Sequence, residues 1–356
     1  MVSKIFILTF LSFIVAFLWA PFLVRWLHRN KMWKEARKYT SDKHALITFQ
    51  KIEKDHKVKT PRGGGLLIWI TISGIAFLLF CFENLFFPGL DKLDFITRSE
   101  TWLPIFTLII AGIIGFADDV LTSKGTGKYF GGGITLKLRI IIIALIGAIG
   151  AWWFHSKLGW DTIHVPFFGN FYINGFYIPL FIMTMVATFS SGVIDGLDGL
   201  SGGVFAPIFV MFGTIAFIRG QYDLASFCFM IASTLVVFLW FNAPPAKFYI
   251  GETGIYSLTA TLTVIAFLTN SVLLLPIVGI MLVLTTGSDI VQLGYRQYGI
   301  RRGWSQKKRK FFQAAPLHHH FQLKGISNET IVMRYWIVTA IACMTGLMIY
   351  LLDKGI

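Results

Sequence analysis

Long apolar stretches separated by short polar segments make up most of this chain. Ten of these stretches approach the roughly 20 residues that an α-helix needs to cross a bilayer. They cover residues 5–27, 64–86, 102–120, 137–154, 176–194, 200–218, 222–241, 253–269, 272–295 and 331–351. The pattern predicts an all-α integral membrane protein of about ten transmembrane helices, folded as a single polytopic domain over residues 1–356.

Three parts of this pattern are less clear than the rest. The fifth stretch runs into a segment rich in Gly and Asp, and only Thr269, Asn270 and Ser271 separate the eighth stretch from the ninth. The segment 155–179 is rich in aromatic and turn residues. It predicts a short β-hairpin or a segment lying at the membrane interface.

Composition agrees with the hydrophobic pattern. Hydrophobic residues make up 55% of the chain, charged residues make up 14%, and the mean hydropathy is +0.67. These values exclude an ordinary soluble globular protein. Cys81, Cys228 and Cys343 lie far apart inside apolar stretches, so we expect them to be small buried side chains, not a disulfide or metal set.

Positive charge is concentrated in every second polar segment. Of the 32 Lys and Arg residues, 25 lie in the segments after the first, third, fifth, seventh and ninth apolar stretches. The positive-inside rule therefore predicts that these segments are cytoplasmic and that both termini are periplasmic. The predicted cytoplasmic loops are approximately 28–62, 121–136, 195–199, 242–252 and 296–328. Their charge accounts for the net charge of +14 and suits anionic headgroups or an anionic substrate.

Carboxylates occur at the same predicted cytoplasmic ends. Asp118 and Asp119 end the third stretch, Asp195 and Asp198 follow the fifth, and Glu252 follows the seventh. Each cluster alone could be a solvated interface or an ordinary loop. Together they offer oxygen ligands of the kind that Mg²⁺ prefers, next to basic groups that suit a diphosphate. The combination predicts phosphoryl transfer between a lipid phosphate and a soluble nucleotide diphosphate.

Two further polar features lie near these carboxylates. His318, His319 and His320 are consecutive, so their side chains point in different directions, and no second ligand set at metal spacing accompanies them. We therefore favour substrate contacts over a zinc site for these histidines. Asp289 is a lone carboxylate inside the ninth stretch, which makes it a candidate functional residue whose role the sequence does not assign.

Four segments resemble those of a known family. They are GFADDV, DGLDGL, FNAPPAKFYIGETG and APLHHHFQLKG. They are similar to the phospho-N-acetylmuramoyl-pentapeptide transferases of the polyprenyl-phosphate N-acetylhexosamine-1-phosphate transferase superfamily, and the histidine segment is the most specific of them. The resemblance covers roughly residues 57 to 325 and implies a bacterial plasma membrane location.

The resemblance also implies a reaction, a cofactor and partners. UDP-N-acetylmuramoyl-pentapeptide and undecaprenyl phosphate would give undecaprenyl-diphospho-muramoyl-pentapeptide (lipid I) and UMP, with Mg²⁺ as cofactor and Mn²⁺ as a substitute. This reaction belongs to peptidoglycan synthesis. Membrane lipids are the other expected partners; no nucleic acid is expected, and a homodimer is left open.

The site residues implied by the resemblance fall into two groups. The catalytic and metal-binding group is Asp118, Asp119 and Glu252. The substrate-binding group is Thr60, Lys137, Asp195, Asp198, Asn242, Gln292, His318, His319 and His320.

The chain departs from the family pattern at several positions. Phe189 and Gly192 stand where the family usually has asparagine, and Glu252 stands where it has the shorter aspartate. Asp289 replaces an expected apolar residue, and TPRGGG at 60–65 is also similar to the N-acetylglucosamine branch. The chain is therefore expected to be a divergent member.

Alternatives remain at this point. A transferase that uses another UDP-N-acetylhexosamine, for teichoic acid, O-antigen or glycan precursors, is the runner-up. An inactive substrate-binding relative and a transporter are more remote, because a transporter favours charges near the midplane and a visible repeat. Direct attack by the lipid phosphate is favoured weakly over a covalent intermediate on an aspartate.

Overall fold

The computed structural model describes residues 1–33, 59–85, 93–97, 100–126 and 132–356. Most of the predicted loop 28–62 and part of the predicted loop 121–136 lie outside the described residues, as does the end of the second predicted span. Within the described part, twelve α-helices and one two-stranded sheet follow the chain.

The helix bounds follow the predicted spans closely. The helices are α1 (Val2–Arg29), α2 (Leu66–Leu85), α3 (Trp102–Lys124), α4 (Leu136–Trp152), α5 (Tyr177–Ser190), α6 (Leu200–Ile218), α7 (Tyr222–Asn242), α8 (Gly251–Leu268), α9 (Leu275–Val278), α10 (Ile280–Arg301), α11 (Leu317–Leu323) and α12 (Asn328–Lys354). Single helical turns continue α4 and α5 through Trp153–Lys157 and Ser191–Ile194, and others lie at Asn174–Phe176, Val272–Leu274 and Gln306–Arg309.

Eight of the helices in the described residues are long and apolar enough to cross a membrane. The helix from Leu66 is a shorter apolar helix at the second predicted span, and the pair α9 and α10 is one further candidate span. The prediction of an all-α integral membrane protein is confirmed. The sidedness of the termini stays a prediction.

The ninth predicted span is not a straight helix. A bend of 77° separates the segment Val272–Val278 from α10. The break lies at Gly279, where a side chain would meet the carbonyl oxygen of Leu275 at 2.9 Å. Glycine at this corner avoids that close contact, and Pro276 is accommodated in the first turn of α9, where its backbone nitrogen needs no partner within the helix. Apolar content predicted the span, but it carried no information about the bend.

The core surrounds α8, which is buried along almost its whole length. Helix α3 packs along α8, while α6 and α7 pack against each other. Three hydroxyl groups of α8 donate to backbone carbonyls of the same helix: Ser257 to Thr253, Thr259 to Ile255 and Thr263 to Thr259. This internal pairing lets a helix rich in Ser and Thr lie in an apolar interior.

The outer helices carry large apolar side chains on their exposed faces. On α1, α4 and α12 these include Phe6, Phe10, Phe22, Ile141, Leu145, Ile149, Met333, Ile337 and Met344. In a protein with this composition such faces are lipid contacts.

Two glycines allow the helices to approach closely where the polar residues gather. A Cβ atom on Gly115 of α3 would lie 2.4 Å from the carbonyl oxygen of Glu252. A Cβ atom on Gly65 would lie 2.2 Å from the backbone nitrogen of Gly254. The absence of side chains at these positions brings α3 and the segment before α2 against the start of α8.

The segment after α4 forms the predicted hairpin. Strands β1 (Thr162–Val165) and β2 (Gly169–Tyr172) pair antiparallel, with Thr162 opposite Tyr172 and Val165 opposite Gly169. All three cysteines are free; Cys228 and Cys343 are buried as expected, whereas Cys81 is partly exposed.

Candidate active site

Asp119 caps helix α8. One carboxylate oxygen accepts from the backbone N–H of Glu252 at 3.0 Å, and the other accepts from the N–H of Thr253 at 2.9 Å. A carboxylate at a helix N-terminus satisfies donors that have no partner inside the helix and interacts favourably with the helix dipole. Because Asp119 is 1% exposed and both oxygens are engaged, its visible role is to join α3 to α8.

Asp118 has a different environment, although it is the adjacent residue. Its Oδ1 accepts from the N–H of Ile134 at 2.7 Å, and its Oδ2 lies 2.9 Å from Nε of Arg139. The hydroxyl of Tyr256 donates to the same Oδ2 at 3.3 Å. Asp118 is fully buried, so a charged partner is needed to stabilise its ionised form.

Arg139 joins Asp118 to Glu252. Its terminal NH1 group donates to Oε1 of Glu252 at 2.7 Å. The side chains of Arg139 and Glu252 are 16% and 19% exposed, so the bridge forms a wall of the site that water can reach. The guanidinium fork can serve two carboxylates at once because its donors lie in one rigid plane.

A second arginine completes the charge pattern. The charge of Arg62 interacts with those of Asp119, Asp195 and Glu252. Four carboxylates, on Asp118, Asp119, Asp195 and Glu252, therefore share two guanidinium groups. When all are ionised, this cluster keeps two negative charges, which is the charge of one divalent cation.

The loop between α5 and α6 brings Asp195 and Asp198 to the same end of the bundle. Asp195 Oδ1 accepts from the hydroxyl of Ser201 at 3.2 Å, and burial raises the pKa of this carboxyl while Arg62 opposes the shift. Asp198 accepts from the N–H of Ala246 at 3.0 Å through Oδ2. Its Oδ1 is buried and has no hydrogen-bond partner among the described residues.

Asn242 holds this loop in place. Its side-chain oxygen accepts from the N–H of Gly199 at 2.8 Å, and its side-chain nitrogen donates to the carbonyl of Phe248 at 2.7 Å. Gly199 has a φ of +80°, a conformation that favours glycine. Asn242 thus positions the nucleotide-pocket candidates and has both ends of its amide occupied.

His318 lies under the same loop. A Cβ atom on Gly196 would come within 2.2 Å of Nε2 of His318, so only glycine fits there. His318 is fully buried, and neither ring nitrogen has a hydrogen-bond partner among the described residues. Burial and the neighbouring His319 hold the pKa of His318 well below its usual value. The neutral ring can donate from one nitrogen and accept at the other.

The other two histidines and Gln292 have partners of their own. Nδ1 of His319 lies 2.5 Å from the side-chain oxygen of Gln322, and Nδ1 of His320 accepts from the N–H of Gln313 at 3.2 Å. Gln292 accepts from the N–H groups of Phe311 and Phe312 at 3.2 and 2.8 Å. Gln292 therefore anchors the loop before α11 to α10.

Several residues of the site were not among those predicted from the sequence. Lys137 is exposed, and the cation that α4 brings to the carboxylates is Arg139, two residues later. Arg62, Tyr249 and Tyr256 were also missed. Tyr249 interacts with Thr60 and Asp198, which gives Thr60 its place at the site. The quoted segment TPRGGG contained Arg62, but a segment alone does not reveal which side chain faces a carboxylate.

Phe189 and Gly192, which depart from the family pattern, make apolar packing contacts. The ring of Phe189 meets the ring of Tyr256 edge-on at 4.7 Å, and a Cβ atom on Gly192 would meet Ile255 at 2.2 Å. Apolar contacts thus take the place of the two amides that the family pattern led us to expect. They also hold Tyr256, whose hydroxyl donates to Asp118.

No group of three His, Cys, Asp or Glu side chains in the described residues is placed to hold a metal ion by itself. Mg²⁺, however, usually keeps several waters and takes only one or two protein carboxylates together with substrate phosphates. Asp118 and Glu252 supply such carboxylates, and a cluster with more carboxylates than guanidinium groups suits a divalent cation. The residues fit a Mg²⁺ that is completed by a bound diphosphate.

An apolar cavity of about 440 Å³ lies between α5, α8 and the bent pair α9 and α10. Leu180, Leu262, Leu282 and Ile290 are among the residues that line it, and its polar lining includes Ser190 and Ser191, which lead into the loop of Asp195. Asp289 is half-buried on α10 beside the lining residue Ile290.

Known proteins resemble this chain in sequence over most of its length. Residues 101–270 match the model of glycosyl transferase family 4. A protein of Granulibacter bethesdensis named phospho-N-acetylmuramoyl-pentapeptide-transferase is 34% identical over 361 residues, covering 94% of this chain and 90% of the relative. Proteins of the same name from Chlorobium chlorochromatii and Chloroflexus aurantiacus are 34% and 28% identical, over 83% and 96% of this chain and 81% and 88% of the relatives.

Proposed function

The chain belongs to the phospho-N-acetylmuramoyl-pentapeptide transferase family, and we propose that it makes lipid I from UDP-N-acetylmuramoyl-pentapeptide and undecaprenyl phosphate in the bacterial plasma membrane. Family membership makes it a membrane phosphoglycosyl transferase of peptidoglycan synthesis. The donor, the acceptor and the need for Mg²⁺ are parts of the proposal.

One observation carries the proposal. Asp118 is buried and bridged through Arg139 to Glu252, and the same end of the bundle adjoins an apolar cavity. Such a site suits two reactants of opposite character. The charged cluster takes a soluble diphosphate, and the cavity takes the hydrocarbon chain of a lipid phosphate.

In the proposed reaction, an oxygen of the lipid phosphate attacks the phosphorus that carries the sugar. A new P–O bond forms to the lipid, the bond to the second phosphate breaks, and UMP leaves with that bridging oxygen. Asp118 receives the proton of the acceptor phosphate, or orients its ionised form, at Oδ2. Asp119 maintains the start of α8, because both of its oxygens are held by backbone donors.

This division of roles favours direct transfer over a covalent enzyme intermediate. Both oxygens of Asp118 are engaged, Oδ1 with Ile134 and Oδ2 with Arg139 and Tyr256, and these contacts lower the nucleophilicity of the carboxylate. Mg²⁺, when bound by Asp118 and Glu252, would neutralise diphosphate charge in the transition state.

The nucleoside end of the donor is assigned to the loop of Asp198. Among the described residues, Asp198 Oδ1 is a buried acceptor without a hydrogen-bond partner, and the two ring nitrogens of His318, beneath the same loop, have none either. A uracil N–H and ribose hydroxyls supply the donors and acceptors that these atoms lack. Filling unpaired buried polar atoms gives a binding site its selectivity.

The test is a transfer assay with the purified full-length chain in detergent. Undecaprenyl phosphate and Mg²⁺ are offered with UDP-N-acetylmuramoyl-pentapeptide or, in parallel, UDP-N-acetylglucosamine, and the lipid product is identified by mass spectrometry. We expect lipid I and UMP from the first donor, loss of product in chelator, and recovery with Mg²⁺ or Mn²⁺.

The second donor separates the two branches of the superfamily. Product from UDP-N-acetylglucosamine alone would retain phosphoglycosyl transfer and overturn the proposed donor. If neither donor gives a product, and thermal unfolding shows that the protein is folded, the proposed reaction is overturned. Full activity in chelator would remove the metal from the proposal.

A further inference from the structure

Arg139 contacts one oxygen of each of the two carboxylates that would hold Mg²⁺. Arg139 lies 2.9 Å from Asp118 Oδ2 and donates to Glu252 Oε1 at 2.7 Å. Mg²⁺ needs oxygen ligands at roughly 2.0–2.1 Å and accepts little distortion of its octahedron. A cation so close to either oxygen would share it with the guanidinium, and two cations at such a distance repel each other.

The guanidinium is held in the bridging position by more than the two carboxylates. Its Nε also donates to the carbonyl of Ile134 at 3.0 Å, while the N–H of Ile134 donates to Asp118 Oδ1. Arg139 therefore follows Asp118 as part of one small network. It acts as a built-in cation that offsets part of the charge of the two carboxylates before any ligand binds.

The length of the Glu252 side chain fits this interpretation. Glu252 lies in the first turn of α8, and its side chain is one methylene longer than the aspartate usual in the family. The longer side chain reaches Arg139 from the far side of the site and closes the bridge at 2.7 Å. The departure at Glu252 and the presence of a guanidinium at Arg139 thus form one device.

We propose that Arg139 competes with Mg²⁺ for Asp118 and Glu252 until a diphosphate arrives. The guanidinium then leaves the carboxylates for the phosphate oxygens, which it can contact with two parallel N–H groups. Metal and diphosphate consequently bind together, and the metal alone binds weakly. This inference rests on the proposed function for the identity of the anion, but its test does not require turnover.

The test measures Mg²⁺ binding to the full-length chain in detergent by calorimetry, without and with saturating UDP as the diphosphate probe. Wild type is compared with Arg139→Met, which removes the charge, and with Arg139→Lys, which keeps the charge but cannot bridge. Lys157→Met is the matched control, because this exposed lysine lies at the opposite end of the same helical segment.

In wild type we expect UDP to tighten Mg²⁺ binding by about tenfold or more, the effect of one or two charged hydrogen bonds. In Arg139→Met, Mg²⁺ alone should bind about tenfold more tightly than in wild type, and UDP should add little. Arg139→Lys should lie between the two, and Lys157→Met should match wild type.

Unchanged or weaker Mg²⁺ binding in Arg139→Met without UDP would overturn the competition. If Arg139→Met does not fold, Arg139→Lys decides in the same way, since it must still bind Mg²⁺ alone more tightly than wild type does. The transfer assay on wild type separates this inference from the proposed function. Tighter Mg²⁺ binding in the variant without any lipid product from wild type would retain the competition and reject the reaction.

Discussion

Both ends of the helix bundle carry buried charges, but the two ends differ in how these charges are paired. At the end opposite the candidate site, Lys4 pairs with Asp223 at 2.5 Å, and His164 pairs with Asp353 at 2.6 Å. Asp353 also accepts from the N–H of Phe167 at 2.6 Å and lies 3.1 Å from Lys354. Here each of these carboxylates meets a basic partner.

At the candidate site, the carboxylates outnumber their basic partners. Four carboxylates share Arg62 and Arg139. Among the described residues, the buried carboxylate and imidazole atoms without a hydrogen-bond partner belong to Asp198 and His318, both at this end.

The comparison teaches how to separate a structural charge cluster from a reactive one. A saturated cluster such as that of His164 and Asp353 connects the hairpin to α12, and a ligand would gain nothing from it. In an unbalanced cluster, a ligand of opposite charge gains binding free energy, and the unbalanced charges lower the stability of the fold until it binds. Four predictions test this contrast, in order of decreasing expected effect.

Asp118→Asn should have the largest effect on transfer. Loss of the ionised carboxylate at the reacting phosphate should lower kcat/KM by about 10²–10⁴-fold, the usual range for a proton-transfer group. Thermal unfolding should show that the variant is still folded. The measurement is the lipid I assay, and near-normal turnover would move the catalytic role away from Asp118.

Arg139→Met should come next and should exceed Lys137→Met. Removal of a donor that stabilises developing charge typically lowers kcat by about 10²–10³-fold, whereas Lys137 is an exposed side chain two residues away. The two variants are compared in the same assay. A larger loss in Lys137→Met would support the sequence-based assignment of Lys137 as the substrate-binding cation.

Asp353→Asn should lower stability and spare activity. The substitution removes the ion pair with His164 and weakens the attachment of the hairpin, so we expect Tm to fall by a few degrees. The kcat of lipid I formation at a temperature well below Tm should equal that of wild type. A specific loss of kcat would show that the two ends of the bundle are coupled.

Asp195→Asn should have the smallest effect of the four variants, and it should raise stability where Asp353→Asn lowers it. Burial raises the pKa of Asp195 in the folded chain, so the folded state pays a penalty for its ionised form above that pKa. The penalty disappears as pH falls toward the usual pKa of an aspartate. The variant should therefore raise Tm at pH 7 to 8 and have little effect near pH 4, as followed by thermal unfolding across pH. A uniform shift at all pH values would contradict this origin.

The homodimer left open by the family resemblance stays a prediction, and so does the cytoplasmic position of the candidate site. The agreement between the Lys and Arg distribution and the grouping of carboxylates at one end nevertheless makes the orientation a definite expectation.

The sequence alone determined the membrane class, the approximate bounds of the spans and the end at which the carboxylates gather. These follow from the length and apolar content of each stretch, which are local properties of the chain. Segment identity also indicated Asp118, Asp119, Asp198 and His318 as site residues. It could not distinguish the adjacent aspartates, because both occupy the same end of the same helix.

Only the tertiary structure decided what each polar group does. In the tertiary structure, Asp119 caps α8 and Asp118 pairs with Arg139. Arg62 interacts with the carboxylates, and the ninth span bends at Gly279. Each of these outcomes depends on which helices meet and on glycines that let them approach, as Gly115 does beside Glu252. The physical reason is that hydrogen bonds and ion pairs between distant segments depend on distances of a few ångströms, which no local pattern of residues encodes.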